Sequence, residues 1–292
     1  APACVACGAW FGDLEPIRPE YRDRDARLAV MDEQGVAATL LFPTLGVGLE
    51  DALRYDPEAA AGVFSGFNRW LDEDWGFDRG DDRLFAAPMI SFADPARAEA
   101  EVDRVLADGA RVLCTIPGPV PDGDDGYVSP GHGRFDGIWA RIAEAGVPLV
   151  FHAGLSGATH YGRFWRAGGD GGGGGFEGFK HAAFPLVAFQ DRGISETIAA
   201  LVCHGVFERF PTLRVASIEN GSMWLPDLLR NLRDARGKMP FAFAEDPVEQ
   251  IRHHVWVAPY YEDDMARIKD ELGIDRMLFG SDFPHTEGLP EP

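Results

Sequence analysis

A (β/α)8 (TIM) barrel of the α/β class is the fold this sequence predicts, and three observations predict it. Short, near-continuous apolar runs alternate with amphipathic helical stretches along the chain, as a helix-covered parallel sheet requires. Helical stretches end in glycine or proline punctuation, as at Asp108-Gly109, Ala145-Gly146-Val147-Pro148 and Phe210-Pro211. Polar residues stand just where several apolar runs end, and the C-terminal strand ends of a barrel are where its chemistry sits.

In chain order, a helix is expected over Asp25–Gln34, then a strand over Val36–Phe42 and a long helix over Asp51–Trp75. Strands follow at Leu84–Ile90, Arg111–Ile116, Pro148–His152, Leu213–Ile218, His254–Ala258 and Arg276–Phe279. The intervening helices are Pro95–Asp108, Phe135–Ala145, Ile194–Phe210, Trp224–Ala235 and Asp263–Leu272. That makes seven strands, where a closed barrel of this class has eight. Residues 1–21 contain three prolines and no strand pattern, so they read as a loop. The simplest expectation is a single barrel domain over 1–292 that lacks its first strand and final helix. An open seven-stranded sheet is the alternative.

Composition limits the function classes. With 292 residues, 46% hydrophobic and 25% charged, the chain has ample core-forming material. A formal net charge of −20 repels phosphate backbones and anionic lipid, which argues against nucleic-acid and membrane roles. No apolar run is long enough for a membrane-spanning helix, and the chain reads as a cytoplasmic enzyme. Four cysteines in a chain of this length form no disulfide framework. The Cys4-Val5-Ala6-Cys7 motif has no second pair, so neither zinc nor redox chemistry is assigned to it.

One insertion, Leu155–Ala183, breaks the rhythm. Its glycine run lacks the Gly-Lys-Ser/Thr of a phosphate loop, so it reads as a hinge. Because it follows a strand end on the catalytic face, its aromatic residues read as a lid over a substrate or as packing on the rim.

Three residues stand out as carriers of chemistry. His152 closes the run Pro148–Phe151, Glu219 closes Leu213–Ile218, and Asp282 follows Arg276–Gly280. Imidazole and carboxylate groups projecting from different strands toward one mouth are the donors that zinc and manganese take. Taken singly, His152 could equally be a satisfied core histidine and Asp282 a turn cap. His285 lies three residues past Asp282, placed to bind a substrate carboxylate, and Trp224 is a candidate pocket wall or core residue. His204 reads as a helix residue, and His253-His254 as the bottom of a strand.

The segments Asp25–Asp32, Leu41-Phe42-Pro43-Thr44, Val150-Phe151-His152-Ala153-Gly154, Gly205–Pro211 and Gly280-Ser281-Asp282-Phe283-Pro284-His285 together resemble the amidohydrolase-related family. This is the family that includes 2-amino-3-carboxymuconate-6-semialdehyde decarboxylase, and the matching segments run in its order over most of the chain. The resemblance implies that His152 and Asp282 are metal ligands, with zinc as the first expectation and manganese as the second. It also implies a small carboxylated organic acid as substrate, turned over by decarboxylation or hydrolysis, and is compatible with a homodimer. The chain departs from the pattern twice. No His-x-His or acidic-x-His pair for the first strand is present, and Glu219-Asn220-Gly221 stands where the decarboxylases carry a His-x-Gly segment. Glu219 and Asp282 then become the proton-handling residues. The rival from another class is a barrel with an incomplete ligand set that binds small acids without turnover.

Overall fold

The computed structural model describes residues 16–43, 46–123, 126–154, 187–189, 191–283, 285 and 288. The Cys4/Cys7 pair, the Leu155–Ala183 insertion with His160 and His181, and Pro284 lie outside them.

Parallel strands follow one another across the sheet in chain order. β1 (Thr39–Leu41) pairs with β2 (Leu84–Ala86), and β3 (Leu113–Thr115) pairs with β6 (Leu149–His152). β6 continues to β7 (Val215–Ile218) and β7 to β8 (Val255–Val257). Two single bridges, Met89 to Cys114 and Val257 to Met277, extend the order at either end of the larger sheet. All seven predicted strands therefore appear in barrel sequence, each shorter than expected, and two of the losses have a visible form. Pro88 has no N–H to give to a ladder, so the run Leu84–Ile90 pairs regularly only as far as Ala86. There Asn68, fully buried, takes over: its side chain accepts from the Met89 N–H and donates to the Met89 carbonyl, each at 2.9 Å. The expected strand Arg276–Phe279 is reduced to its Met277 bridge and one bond from the Leu278 N–H to the Val257 carbonyl.

Alternation along the strands sorts side chains into two layers. Val112, Cys114, Ile116, Val150 and Ala216 pack together inside the sheet's curve with Met89 and Phe64. Leu113, Leu149, Phe151, Val215 and Val257 face the other way, toward the helices. Period-two alternation puts His152 on the face of Val150, so its side chain emerges at the inner mouth.

The helices are α1 (Arg24–Gln34), α2 (Leu49–Ala52), α3 (Pro57–Asp74), α4 (Pro95–Ala107) and α5 (Asp136–Ala145). They continue as α6 (Arg192–Cys203), α7 (Val206–Arg209), α8 (Trp224–Lys238), α9 (Pro247–His254) and α10 (Met265–Leu272). Start signals are consistent: Asp23, Asp56, Asp94, Asp246 and Asp264 each cap a helix through the side chain, and Pro57, Pro95 and Pro247 follow three of those caps.

These caps account for several departures from the sequence reading. The single helix expected over Asp51–Trp75 divides in two because Asp56-Pro57 starts a new one. The helix expected over Ile194–Phe210 breaks at Gly205, whose φ of 69° is left-handed. His204 is therefore a helix end whose Nδ1 meets the Ser129 hydroxyl at 2.7 Å, and not a mid-helix residue. His253 and His254 close α9 instead of opening a strand. His254 stacks on Phe207 at 4.4 Å and bonds the Leu213 carbonyl, which makes it a packing residue. Two further elements were not expected: α9 itself, and an antiparallel hairpin of β4 (Val120–Asp122) and β5 (Gly126–Val128). Within the region read as loop, Pro19–Tyr21 forms a turn of 3-10 helix.

Among the described residues, no ladder joins β1 to the Met277 segment. The α1 end of the chain crosses this edge: the Arg27 guanidinium lies 4.3 Å from the Phe283 ring, and the Tyr21 ring meets Phe283 edge-on at 5.9 Å. That contact ties the Asp282 turn to the first helical layer.

Buried near the same rim, Glu50 accepts a hydrogen bond from the Ser91 hydroxyl. Burial pushes its carboxyl from 4.5 up to about 7, and neighbouring Asp51 adds to the rise. The native state thus holds a proton that the unfolded chain has already lost. Stability is fully present below about pH 4.5 and falls as pH rises from there to about 7. The loss is at most about 3 kcal/mol. Glu50→Gln is expected to flatten this profile in chemical denaturation between pH 5 and 8; parallel curves for the two proteins would refute the assignment.

Candidate active site

Three strand ends converge at the mouth of the sheet. β6 delivers His152, almost wholly buried, and β7 delivers Glu219 one residue beyond its last ladder position. The Met277 segment delivers Asp282, with His285 one turn further on. One carboxylate oxygen each from Glu219 and Asp282 and one ring nitrogen of His285 lie within 4.8 Å of one another. His152 Nε2 sits 2.9 Å from Glu219 Oε2, and His285 Nδ1 sits 3.0 Å from Asp282 Oδ1. The four side chains form one continuous polar chain.

The local backbone is built to present these groups. Glu219 and Asp282 both have left-handed φ values, 58° and 54°. A non-glycine residue there costs on the order of 1 kcal/mol, and such strain persists only where neighbouring contacts enforce it. Around Glu219 they do. The Asn220 amide donates to the carbonyls of Phe151 (3.0 Å) and Ile218 (2.7 Å), locking the turn onto β6 and β7. Trp224 donates its indole N–H to the Gly221 carbonyl at 3.1 Å and packs into the helix-facing core. Its indole braces the Glu219 turn from behind.

The tautomer of His152 follows from its partners. Nδ1 is 2.8 Å from the Ala153 carbonyl, an acceptor only, so Nδ1 carries a hydrogen. That orientation leaves Nε2 pointing at the acidic cluster, as backbone-anchored metal histidines do. Phe42 flanks the imidazole at 5.3 Å between ring centres.

The donor set of imidazoles and carboxylates fits a divalent ion such as zinc or manganese. Ligand atoms each about 2.1 Å from one tetrahedral ion lie about 3.4 Å apart, so the three atoms, which lie within 4.8 Å of one another, would draw together around it. Cys114 lies below the centre as a spectator: burial first, and the charge of Glu219 second, push its thiol pKa up, so it stays protonated.

Sequence reasoning found His152, Glu219, Asp282 and His285, and the structure brings all four together. It missed Tyr260 and Asp263, which come from the loop after β8. The Tyr260 hydroxyl donates to the Glu219 carbonyl at 2.6 Å. Asp263 accepts from both the backbone N–H and the hydroxyl of Ser222, each at 2.7 Å. No strand-end signal marks either residue.

A family model described as amidohydrolase matches residues 14–292. The chain belongs to the amidohydrolase family. An amidohydrolase from Mycobacterium avium subsp. paratuberculosis K-10 superposes with a TM-score of 0.86 at 48% identity, over 94% of this chain and 68% of that one. The 2,6-dihydroxybenzoate decarboxylase from Rhizobium matches with a TM-score of 0.65 at 20% identity, over 89% of this chain and 77% of its own. A dihydroxybenzoic acid decarboxylase from Polaromonas sp. JS666, solved with manganese and 2-nitroresorcinol, gives 0.67 at 20% identity over 89% and 75%. These likenesses establish the amidohydrolase barrel as the fold. Among the described residues, no helix is long and apolar enough to cross a membrane.

Proposed function

We propose that this amidohydrolase is a metal-dependent carboxy-lyase or hydrolase acting on a small carboxylated organic acid, with decarboxylation as the leading reading. The observation that carries it is the convergence of Glu219, Asp282 and His285 within 4.8 Å, with His152 Nε2 against Glu219. A bound zinc or manganese ion would supply Lewis-acid polarisation there. Asp282 and His152 are the residues to hold it, with a Glu219 oxygen beside them. Glu219 stands beside those donors to hold and return a proton, which is what protonating a carbon that has lost CO2 demands. His285, flanking Asp282, would pair with the substrate carboxylate, and Trp224 supports the wall behind Glu219. The substrate class to try first is hydroxylated aromatic acids, because two enzymes of this fold carry such acids in their names.

Hydrolysis is the second reading, favoured by the name of the 48%-identical relative. It assigns Asp282 to take a proton from the attacking water. Incubation with a panel of hydroxybenzoic acids and their esters and amides in 18O-water, with and without Mn2+ or Zn2+, separates the two. Metal-dependent CO2 release without 18O in the organic product is the expected result. Label in the product assigns hydrolysis, and no turnover of any of these compounds by the metal-loaded chain refutes both readings in favour of a barrel that only binds.

A further inference from the structure

We propose that Tyr260 and Asp263 are positioning residues that hold the Glu219 turn in its left-handed conformation, so that the Glu219 carboxylate faces Asp282 and His285. The inference deepens the metal-centre reading and rests on it for its consequence in catalysis, but not for its geometry.

One carboxylate oxygen cross-ties two loops. Asp263 Oδ2 accepts from Ser222 N and Ser222 Oγ at 2.7 Å, and from Tyr260 N at 3.0 Å. The bonds to Ser222 seize the turn after β7, and the bond to Tyr260 fixes the loop after β8. Ser222 is fully buried, so its hydroxyl and amide would otherwise be left without water. With its loop fixed, Tyr260 reaches the turn in two ways: its hydroxyl donates to the Glu219 carbonyl at 2.6 Å, and its ring lies flush on Gly221. A Cβ at Gly221 would fall 2.8 Å from the ring, and its φ of 57° is itself left-handed, so only glycine suits this position. Burial and the charge of Glu219 push the Tyr260 hydroxyl pKa up, which keeps it a donor at any working pH. Asp263 offers no atom to the cluster of Glu219, Asp282 and His285, and the Tyr260 hydroxyl is engaged with the Glu219 carbonyl. They act through backbone geometry, relieving the cost of a conformation that a glutamate would otherwise leave.

The test uses Tyr260→Phe and Asp263→Asn in the full chain, with Glu219→Gln and the double variant Tyr260→Phe/Glu219→Gln. Hydrogen exchange reads the turn directly. Faster exchange at the amides of 219–222 in both positioning variants, with exchange in β7 unchanged, is expected. Unchanged exchange at those amides in Tyr260→Phe overturns the proposal, and that variant decides the matter should Asp263→Asn fail to fold. Mn2+ titration followed by electron paramagnetic resonance reads the consequence. Binding is expected to weaken about 10- to 100-fold in Tyr260→Phe, as for other residues supporting a ligand. It should weaken no further in the double variant than in Glu219→Gln alone, because the effect runs through Glu219. If the unaltered protein binds no Mn2+, the metal-centre reading fails while the exchange result still judges the positioning. If Glu219→Gln is weak but Tyr260→Phe binds normally, the positioning is refuted and the metal centre stands.

Discussion

Asp282→Asn is expected to lower turnover at least about 10³-fold, a loss of about 4 kcal/mol of transition-state stabilisation. It should also remove measurable Mn2+ binding. Asparagine keeps the shape of aspartate and tolerates the left-handed φ of 54° at this position, so the fold should persist. What is lost is the negative charge shared by the Glu219–Asp282–His285 cluster and the strong acceptor 3.0 Å from His285 Nδ1. A stability curve like that of the unaltered chain, together with absent metal in elemental analysis, would locate the loss in the site. Retention of metal and of kcat/KM would remove Asp282 from the centre.

Trp139→Ala should have the largest effect on folding, about 3–5 kcal/mol. Trp139 is among the largest fully buried side chains and packs against Phe92 at 5.0 Å. Its indole N–H reaches the Pro130 carbonyl at 3.0 Å, so truncation opens a cavity and orphans a buried acceptor together. Because α5 lies behind β3 and β6, the change leaves the inner mouth untouched. Urea unfolding measures the loss; a shift under about 1 kcal/mol would mean the helix layer collapses around the gap more readily than close packing allows.

Much of the fold was legible because its signals are local. Val112-Leu113-Cys114-Thr115-Ile116 is a short, near-continuous apolar run between helical stretches, and that is enough to place a buried strand whatever surrounds it. Boundaries were misread where a local rule was overlooked: Asp56-Pro57 and Asp246-Pro247 are plain helix starts, and Gly205 is a plain helix stop. The shortening of the last strand to a bridge at Met277 had no such signal, because pairing depends on the neighbour.

The site divides along the same line. His152, Glu219 and Asp282 could be chosen from sequence, since a polar residue ending an apolar strand run is a local pattern. Trp224 could not be resolved that way. Only packing shows its indole turned into the core and bonded to Gly221.

The sequence by itself determined the order of strands and helices, the residues at the strand ends and the acidic charge of the chain. Each follows from periodicity, capping chemistry or charge that a short window contains. Only the tertiary structure decided that Glu219, Asp282 and His285 share one cluster, that His152 turns its Nε2 into it, and that Tyr260 and Asp263 hold the turn. Apart from Asp282 with His285, those contacts join residues 41 to 67 positions apart. Nothing local encodes a distance, and left-handed glutamate and aspartate are conformations that propensity disfavours until surrounding hydrogen bonds enforce them.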